Sequence, residues 1–507
     1  MNQLPALPLD VLPRSQVAAA GCLWGLARED EGGTRLVVLL PPASPILAEL
    51  EGEREDHAGR VLLAGPTSPR NAAVLRRRLP WLAPVTIGTR PSAGFGDRLG
   101  LATPGHVRAL RAAAPGIAPI FAQQSIREMA RTGRTPGDVL DDATWGAFEE
   151  GWGDGVGADA DHLKTGDEID RCLAAGFTLF TLDPGACVDT ANASGGRDAV
   201  SGALEKLPWD LLESSAQDLA ARYVGRPFET GGPVITFDEE TVARAAVKYG
   251  AAVAHVCRLY RHLLAGAGER RFEIEVSVDE TDEPTSHAEH VLVATELRRL
   301  GVRWVSLAPR FVGRFEKGVD YIGDAAAFEA HVAGHAAIAR ALGPYKLSLH
   351  SGSDKFSIYD AVARHAGPLV HLKTAGTSYL EALRVVAALD PALFAEIFTF
   401  ACDRYEEDRR SYHVSADVRH ALAAAGDPER RAGLLDGFDA RQVLHVTFGS
   451  VLRATGERGE ARFAHRITSL LRRYPDTYAE ALERHFVRHL APFASHLQAP
   501  APPDRPR

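Results

Sequence analysis

The sequence predicts an α/β protein whose core is a TIM-like (β/α)8 barrel, with an N-terminal α/β extension and a C-terminal helical region. Three observations predict it. Eight short strand-like runs occur between residues 94 and 376, amphipathic helical stretches separate them, and polar residues cluster where each run ends. Strands that alternate with helices point to parallel βαβ units. Eight such units point to a closed barrel, which keeps its functional groups at the carboxyl ends of its strands.

Residues 1–90 read as the extension, because the apolar runs TRLVVLLPP, GRVLLAG and PVTIGT alternate there with charged helical stretches. The barrel is expected over 91–380. Its strand candidates are GFGDR (94–98), PIFAQQS (119–125), GADADHLK (157–164), FTLFTLDP (177–184), FEIEVSVDE (272–280), VRWVSLAPR (302–310), YKLSLHSGSDK (345–355) and LVHLKTAG (369–376). Residues 185–270 separate the fourth and fifth runs and read as a mostly helical insertion. Residues 381–497 read as a C-terminal helical region, and the proline-rich 498–507 (QAPAPPDRPR from Gln498) as a disordered tail.

Composition narrows the function classes. The 507 residues carry a net charge of −9, which argues against a nucleic-acid partner. An anionic substrate therefore requires local Arg or Lys groups that work against the global field. The five cysteines are scattered and form no C-x-x-C pair, so neither a disulfide framework nor a thiolate zinc site is expected. No secretory leader and no apolar run long enough for a membrane span is present, and the cytoplasm is the expected location. A homo-oligomer is left open. The run Gly94-Phe-Gly96-Asp-Arg-Leu99-Gly100 mimics a dinucleotide fingerprint, but Leu99 stands where the third glycine belongs.

Four strand ends carry the candidate chemistry. Gly157–Lys164 gathers Asp159, Asp161, His162 and Lys164. Along a straight strand Asp161 and His162 take opposite faces, but a strand bending at a barrel mouth can turn both to the site. In Glu273–Glu280, Glu275, Ser277 and Asp279 share one face against Ile274, Val276 and Val278. Acids that point into a barrel must be paired or bound to a metal, since a lone buried carboxylate is costly. His350 ends the seventh run and is followed by Ser351-Gly352-Ser353, small residues that let backbone approach a ligand. His371 shares a face with Lys373 in the eighth. One histidine alone reads as structural. Three of them (His162, His350, His371) at separate strand ends, with carboxylates, suit a divalent cation such as Zn, Mn, Ni or Mg. Arg310, Lys355 and Lys373 supply local positive charge, Arg310 as a bidentate partner for a carboxylate. Gln123 and Asp354 join them as candidate substrate-binding residues.

Several long strings resemble the tagaturonate epimerase family: GFGDRLGLATPGH (94–106), AQQSIREMARTGRTPGDVLDDATWG (122–146), GADADHLK (157–164), SVDETDEPTSHAEH (277–290), SLAPRFVGRFEKGVDYIGD (306–324), LSLHSGSDKFSIYD (347–360) and HLKTAGTSYLEALR (371–384). The resemblance covers roughly residues 94–450 and implies interconversion of D-tagaturonate and D-fructuronate with a divalent metal. Carried over by position, it implies Asp161 and Glu275 as the acid/base pair and His162, His350 and His371 as metal-binding positions. The two uronates differ at a carbon β to the ketone, whose C–H bond the carbonyl does not acidify. Retro-aldol cleavage and re-addition is one expected route, and an enediol shift followed by proton exchange is another. A 4-epimerase of neutral ketohexoses and a metal-dependent aldolase are the alternative enzymes, and a sugar-acid binding protein is the non-enzymatic one.

Overall fold

The computed structural model describes the chain except residues 1–6, 8–9, 31, 233, 351–353, 375, 428–432 and 498–507. The small-residue run 351–353 and the tail expected at 498–507 thus lie outside the described residues.

Five strands open the chain: β1 (Val17–Ala19), β2 (Cys22–Arg28), β3 (Thr34–Leu40), β4 (Glu53–His57) and β5 (Arg60–Pro66). They form an antiparallel sheet in the order β1-β2-β3-β5-β4. The unbroken apolar run of β3 reflects burial on both faces. Leu36, Val38 and Leu40 join the main core with Val74 and Leu75 of the helix Pro69–Arg78. Val37 and Leu39 pack instead with Leu7, Val11 and Leu62. The third apolar run, PVTIGT, makes no strand: only Pro84 bridges to Val156. It closes the floor of the barrel instead. Ile87 and Gly88 donate their backbone N–H groups to the Glu273 carboxylate at 2.9 and 2.6 Å, and the Ile87 side chain clusters with Ile120 and Leu179.

All eight expected barrel strands form, in order: β6 (Ser92–Phe95), β7 (Ala118–Ser125), β8 (Gly157–Leu163), β9 (Leu179–Leu182), then, after the short strands β10 (Pro227–Phe228) and β11 (Ile235–Thr236), β12 (Glu273–Ser277), β13 (Ser306–Ala308), β14 (Lys346–His350) and β15 (Val370–Thr374). The barrel is closed and parallel: β9 pairs with β12, and β15 returns to β6 with His371 opposite Ser92. Between β9 and β12 the chain makes several helices, ending in the long Glu239–Ala267, and the β10–β11 pair.

Side-chain alternation sends Ile274 and Val276 outward to the core and Glu273, Glu275 and Ser277 inward. Many barrels fill their interior with Val, Ile and Leu. Here Asp159, Glu275, Lys346 and His371 are fully buried in it and Lys373 is 2 % exposed. A charged interior demands close pairing, and that pairing builds the site.

After β15 the chain continues in helices from Thr377–Leu389 to Pro475–Leu497. The last one is locked to the barrel helix Thr103–Ala113: a Cβ at Gly105 would meet Leu482 Cβ at 2.4 Å, so only glycine permits that approach. Tyr412, His413 and His445 from this region reach over the strand ends. Among the described residues no helix is long and apolar enough to cross a membrane.

Candidate active site

At the carboxyl end of the barrel, β8 does what an ideal strand cannot. Its register to β9 shifts between Ala160 and Leu163, and His162 takes a left-handed φ of 52°. A bulge of this kind re-aims side chains, and the conformation costs a non-glycine residue energy that a functional site can justify. The result places Asp161 and His162 on the same side, His162 Nε2 lying 3.8 Å from Asp161 Oδ1.

Lys373 is the hub beneath them. Its Nζ lies 2.7 Å from Asp159 Oδ2, 2.8 Å from Asp161 Oδ1 and 2.8 Å from Glu275 Oε1, and donates to Thr181 Oγ1 at 2.6 Å. Burial opposes the charge on Lys373, but the three carboxylates outweigh it and hold the ammonium well above its ordinary pKa. Burial likewise works against ionised Asp161 and Glu275, yet Lys373 and the neighbouring imidazoles keep both far below the usual carboxylate range. Asp159 is the exception: burial lifts it to about 6 despite Lys373. Gln123 Nε2 donates to the second Asp161 oxygen at 2.9 Å.

Two imidazoles stand above this hub, each backed by a carboxylate. His350 Nε2 meets Glu275 Oε1 at 2.6 Å. His162 Nδ1 meets Asp183 Oδ2 at 3.1 Å, and Lys164 Nζ reaches the same oxygen at 3.2 Å. The opposite nitrogen of His350, Nδ1, lies 3.1 Å from Asp279 Oδ1 without an aligned hydrogen bond. Ligand atoms of His162, Asp279 and His350 all fall within 4.8 Å of one another, and His162, Asp183 and Glu280 form a second group of the same kind. These are candidate metal-binding groups.

The donor set suits a divalent cation. A carboxylate behind each histidine is the usual way to orient an imidazole ligand. The acids also call for positive charge. Burial disfavours protonation of both rings. Asp161, the bond to Asp183 and Glu280 nonetheless hold His162 at about 10. Asp279 and Glu275, against Lys373, hold His350 at about 9. The cluster thus keeps two protons where one divalent ion would supply the same charge.

Seven of the ten expected residues gather in three neighbouring places. Asp161, His162, His350, Gln123 and Lys373 meet at the barrel mouth and line its cavity. Glu275 lies just below, fully buried, with His350 and Lys373 on one oxygen. Arg310 lines the wider chamber above, about 420 Å³, together with Asp279 and His350. That volume is ordinary for a small-molecule site. Among the described residues, the Arg310 guanidinium donates to the carbonyls of Thr281 and Gly313 alone.

Three residues lie elsewhere. His371 is one inward-facing position below Lys373, opposite Ser348 and Ser92, about 7 Å deeper by strand rise. Its Nδ1 lies 3.0 Å from Ser92 Oγ, which also accepts from Lys346 Nζ. Burial pushes it down to about 3, and it joins no candidate metal group among the described residues. A period of two gives His371 and Lys373 the same face but different depths, and that separates the histidine from the mouth. Asp354 pairs with Arg441 and lies 3.0 Å from His485 Nε2. Lys355 donates to the carbonyls of Glu316 and Val319. Asp354 has turned from the strand end toward the C-terminal helices and Lys355 toward the loop after β13, and neither lines either part of the cavity.

Other cavity residues escaped the sequence reading. Asp279 shares the inward face that the alternation gives Glu275, but the sequence reading assigns it no role in the site. Asp183 ends the fourth strand-like run and carries the same signal. Glu280, Lys317, Tyr412 and His413 come from loops and the C-terminal region, where no periodicity predicts orientation, and Arg127 from the first turn of the helix Ile126–Thr132.

Comparison with known proteins agrees with this fold. Residues 26–493 match the family model described as tagaturonate epimerase. The chain is 43% identical over 466 residues to the tagaturonate/fructuronate epimerase of Thermotoga maritima, covering 92% of this chain and 93% of that protein. The native crystal structure of fructuronate-tagaturonate epimerase UxaE from Cohnella laeviribosi superposes with a TM-score of 0.88 at 37% identity, covering 96% of each chain. A two-glycerol complex of the same enzyme gives 0.89 at 38% identity, covering 95% of this chain and 96% of that one. The shared length, spanning extension, barrel and C-terminal helices alike, establishes that the chain belongs to the tagaturonate epimerase family.

Proposed function

We propose that this protein is an isomerase that interconverts D-tagaturonate and D-fructuronate, with a divalent cation held by His162, Asp279 and His350. The observation that carries the reading is the placement of ionised Asp161 beside that donor group, facing the cavity that Arg310 overlooks. A bound divalent cation would supply Lewis-acid stabilisation of negative charge developing on the sugar oxygens.

The chain's own groups account for the rest. Among the described residues Arg310 has no carboxylate hydrogen-bond partner, and it receives the substrate carboxylate. Gln123 Oε1 is buried without a hydrogen-bond partner among the described residues and accepts from a sugar hydroxyl. Asp161 takes the proton of the β-hydroxyl, and Lys373 and Gln123 hold the carboxylate in place. As that O–H bond is lost, the adjacent C–C bond breaks. The hydroxyl carbon becomes an aldehyde, and the electron pair passes to the ketone side as an enediolate. Rotation of the aldehyde and re-addition to its other face re-forms the bond with inverted configuration, and Asp161 returns the proton. Glu275 positions His350 and is not in contact with the cavity. This pathway needs no acidic hydrogen at the inverted carbon.

The test is turnover of D-tagaturonate in D₂O, followed by NMR. Inversion without deuterium at the inverted carbon supports this route, and deuterium there would replace it with proton exchange. No turnover of either uronate by the metal-supplemented protein would overturn the function itself.

A further inference from the structure

A second group of histidines lies outside the barrel, away from the residues used above. The chain leaving β12 runs through Thr285 into the helix His287–Arg299, capped by Ser286. The neighbouring helix Ala325–Ala341 presents His331 and His335, one turn apart and therefore on one face. The His287 ring lies against that face at Gly334, where a Cβ would stand 2.3 Å from its Nε2, so any other residue would expel the ring. Ring centroids lie 5.2 Å apart for His287–His331, 4.8 Å for His287–His335 and 4.4 Å for His331–His335.

We propose that His287, His331 and His335, with the Thr285 carbonyl, form a second site for a divalent transition-metal ion such as Zn²⁺. Ligand atoms of the three histidines lie within 4.8 Å of one another. His331 Nε2 and His335 Nε2 are 3.3 Å apart, which matches the donor spacing of about 3.3 Å around a tetrahedral zinc with Zn–N near 2.0–2.1 Å. The Thr285 carbonyl oxygen is 3.1 Å from each of those nitrogens, on the same side.

The groups behind the site are those a ligating histidine needs. His335 Nδ1 lies 2.8 Å from His290 Nδ1, and His290 Nε2 lies 2.8 Å from the Tyr345 hydroxyl. Without an ion, Tyr345 donates to His290, His290 donates to His335, and His335 Nε2–H donates to Thr285. With an ion on His335 Nε2, the same chain reverses: His335 donates to His290, and His290 to the Tyr345 oxygen. The site would brace the catalytic face, because the Thr285 N–H donates to the Arg310 carbonyl at 2.8 Å and Thr285 Oγ1 accepts from the Arg310 N–H at 3.0 Å.

The test uses the full-length protein, stripped with chelator and dialysed against Zn²⁺, with bound metal counted by mass spectrometry. Two ions per chain are expected. His331→Ala and the milder His287→Gln, both at half-buried positions, should each leave one. His162→Ala should also leave one, and its combination with His287→Gln none. Co²⁺ loaded into His162→Ala should give the intense visible absorption of a tetrahedral ion, and adding His287→Gln should abolish it. A wild type that binds a single ion lost in His162→Ala overturns the second site and leaves the proposed catalytic ion standing. A count of two that survives both His331→Ala and His287→Gln overturns it as well.

Discussion

Replacing Lys373 with methionine removes the one ammonium shared by Asp159, Asp161 and Glu275 at 2.7, 2.8 and 2.8 Å. The four side chains are at most 5% exposed, so solvent screens the interaction little. Methionine fills much of the stem's volume, and the main loss is charge. Removing one partner of a buried ion pair typically costs about 3–5 kcal/mol, a large part of a stability that is commonly about 5–15 kcal/mol. The pH dependence then identifies the cause. In the wild type Asp161 and Glu275 sit below their ordinary values, so their contribution is present above the unfolded pKa and is lost only as pH falls well into the acid range. In Lys373→Met the same buried acids rise above their unfolded values. Stability is then present at low pH and lost as pH rises. Each extra proton held by the folded mutant restores about 1.4 kcal/mol per pH unit of acidification. Asp159, at about 6, gives the wild type a slope of the same sign, so the measured quantity is the difference between the two proteins. Urea denaturation at pH 7.5 and pH 5.5 reads it. The gap should be several kcal/mol at pH 7.5 and should narrow by about 2 kcal/mol or more at pH 5.5. A gap below 1 kcal/mol, or one that does not change with pH, would refute the hub as the group that makes the charged interior tolerable.

Asp161→Asn should lower kcat by about 100- to 10,000-fold, the usual worth of a general base, while the zinc count stays unchanged. Arg310→Ala should raise KM for the uronates by about tenfold to a hundredfold, from the loss of a charged hydrogen bond worth about 1.5–3 kcal/mol, with a smaller effect on neutral ketoses. Because His162 and His350 titrate near 10 and 9, binding of a cation at neutral pH should release about two protons. Its affinity should tighten about a hundredfold per pH unit between pH 6 and 8, and calorimetry in buffers of different ionisation enthalpy would count the protons. Chelation should abolish turnover, and full activity in the stripped protein would remove the cation from the reaction.

The barrel was legible because its signals are local. Each strand ends within a few residues of a polar cluster, and the inward face of β12 can be read from Glu275 and Ser277 against Ile274 and Val276. Polar residues at β8 and β14 marked Asp161, His162 and His350 for the same reason. The long strings shared with the family were legible without any structure. Depth and direction beyond a strand's end were not. His371 has the right face but lies a layer too low, which depends on where β15 begins relative to β6 and β14. Asp354 and Lys355 follow a strand that has already ended, and Arg441, His485 and His489 draw Asp354 toward helices more than 80 residues away. The bulge that turns His162 beside Asp161 depends on pairing with β9. Sequence alone therefore determined the kind of fold, the family and the residue types at the barrel mouth, since periodicity and motif are properties of neighbours along the chain. Only the tertiary structure decided which of those residues share one cavity, because register, strand depth and the reach of distant helices arise from contacts between segments that the chain order keeps apart.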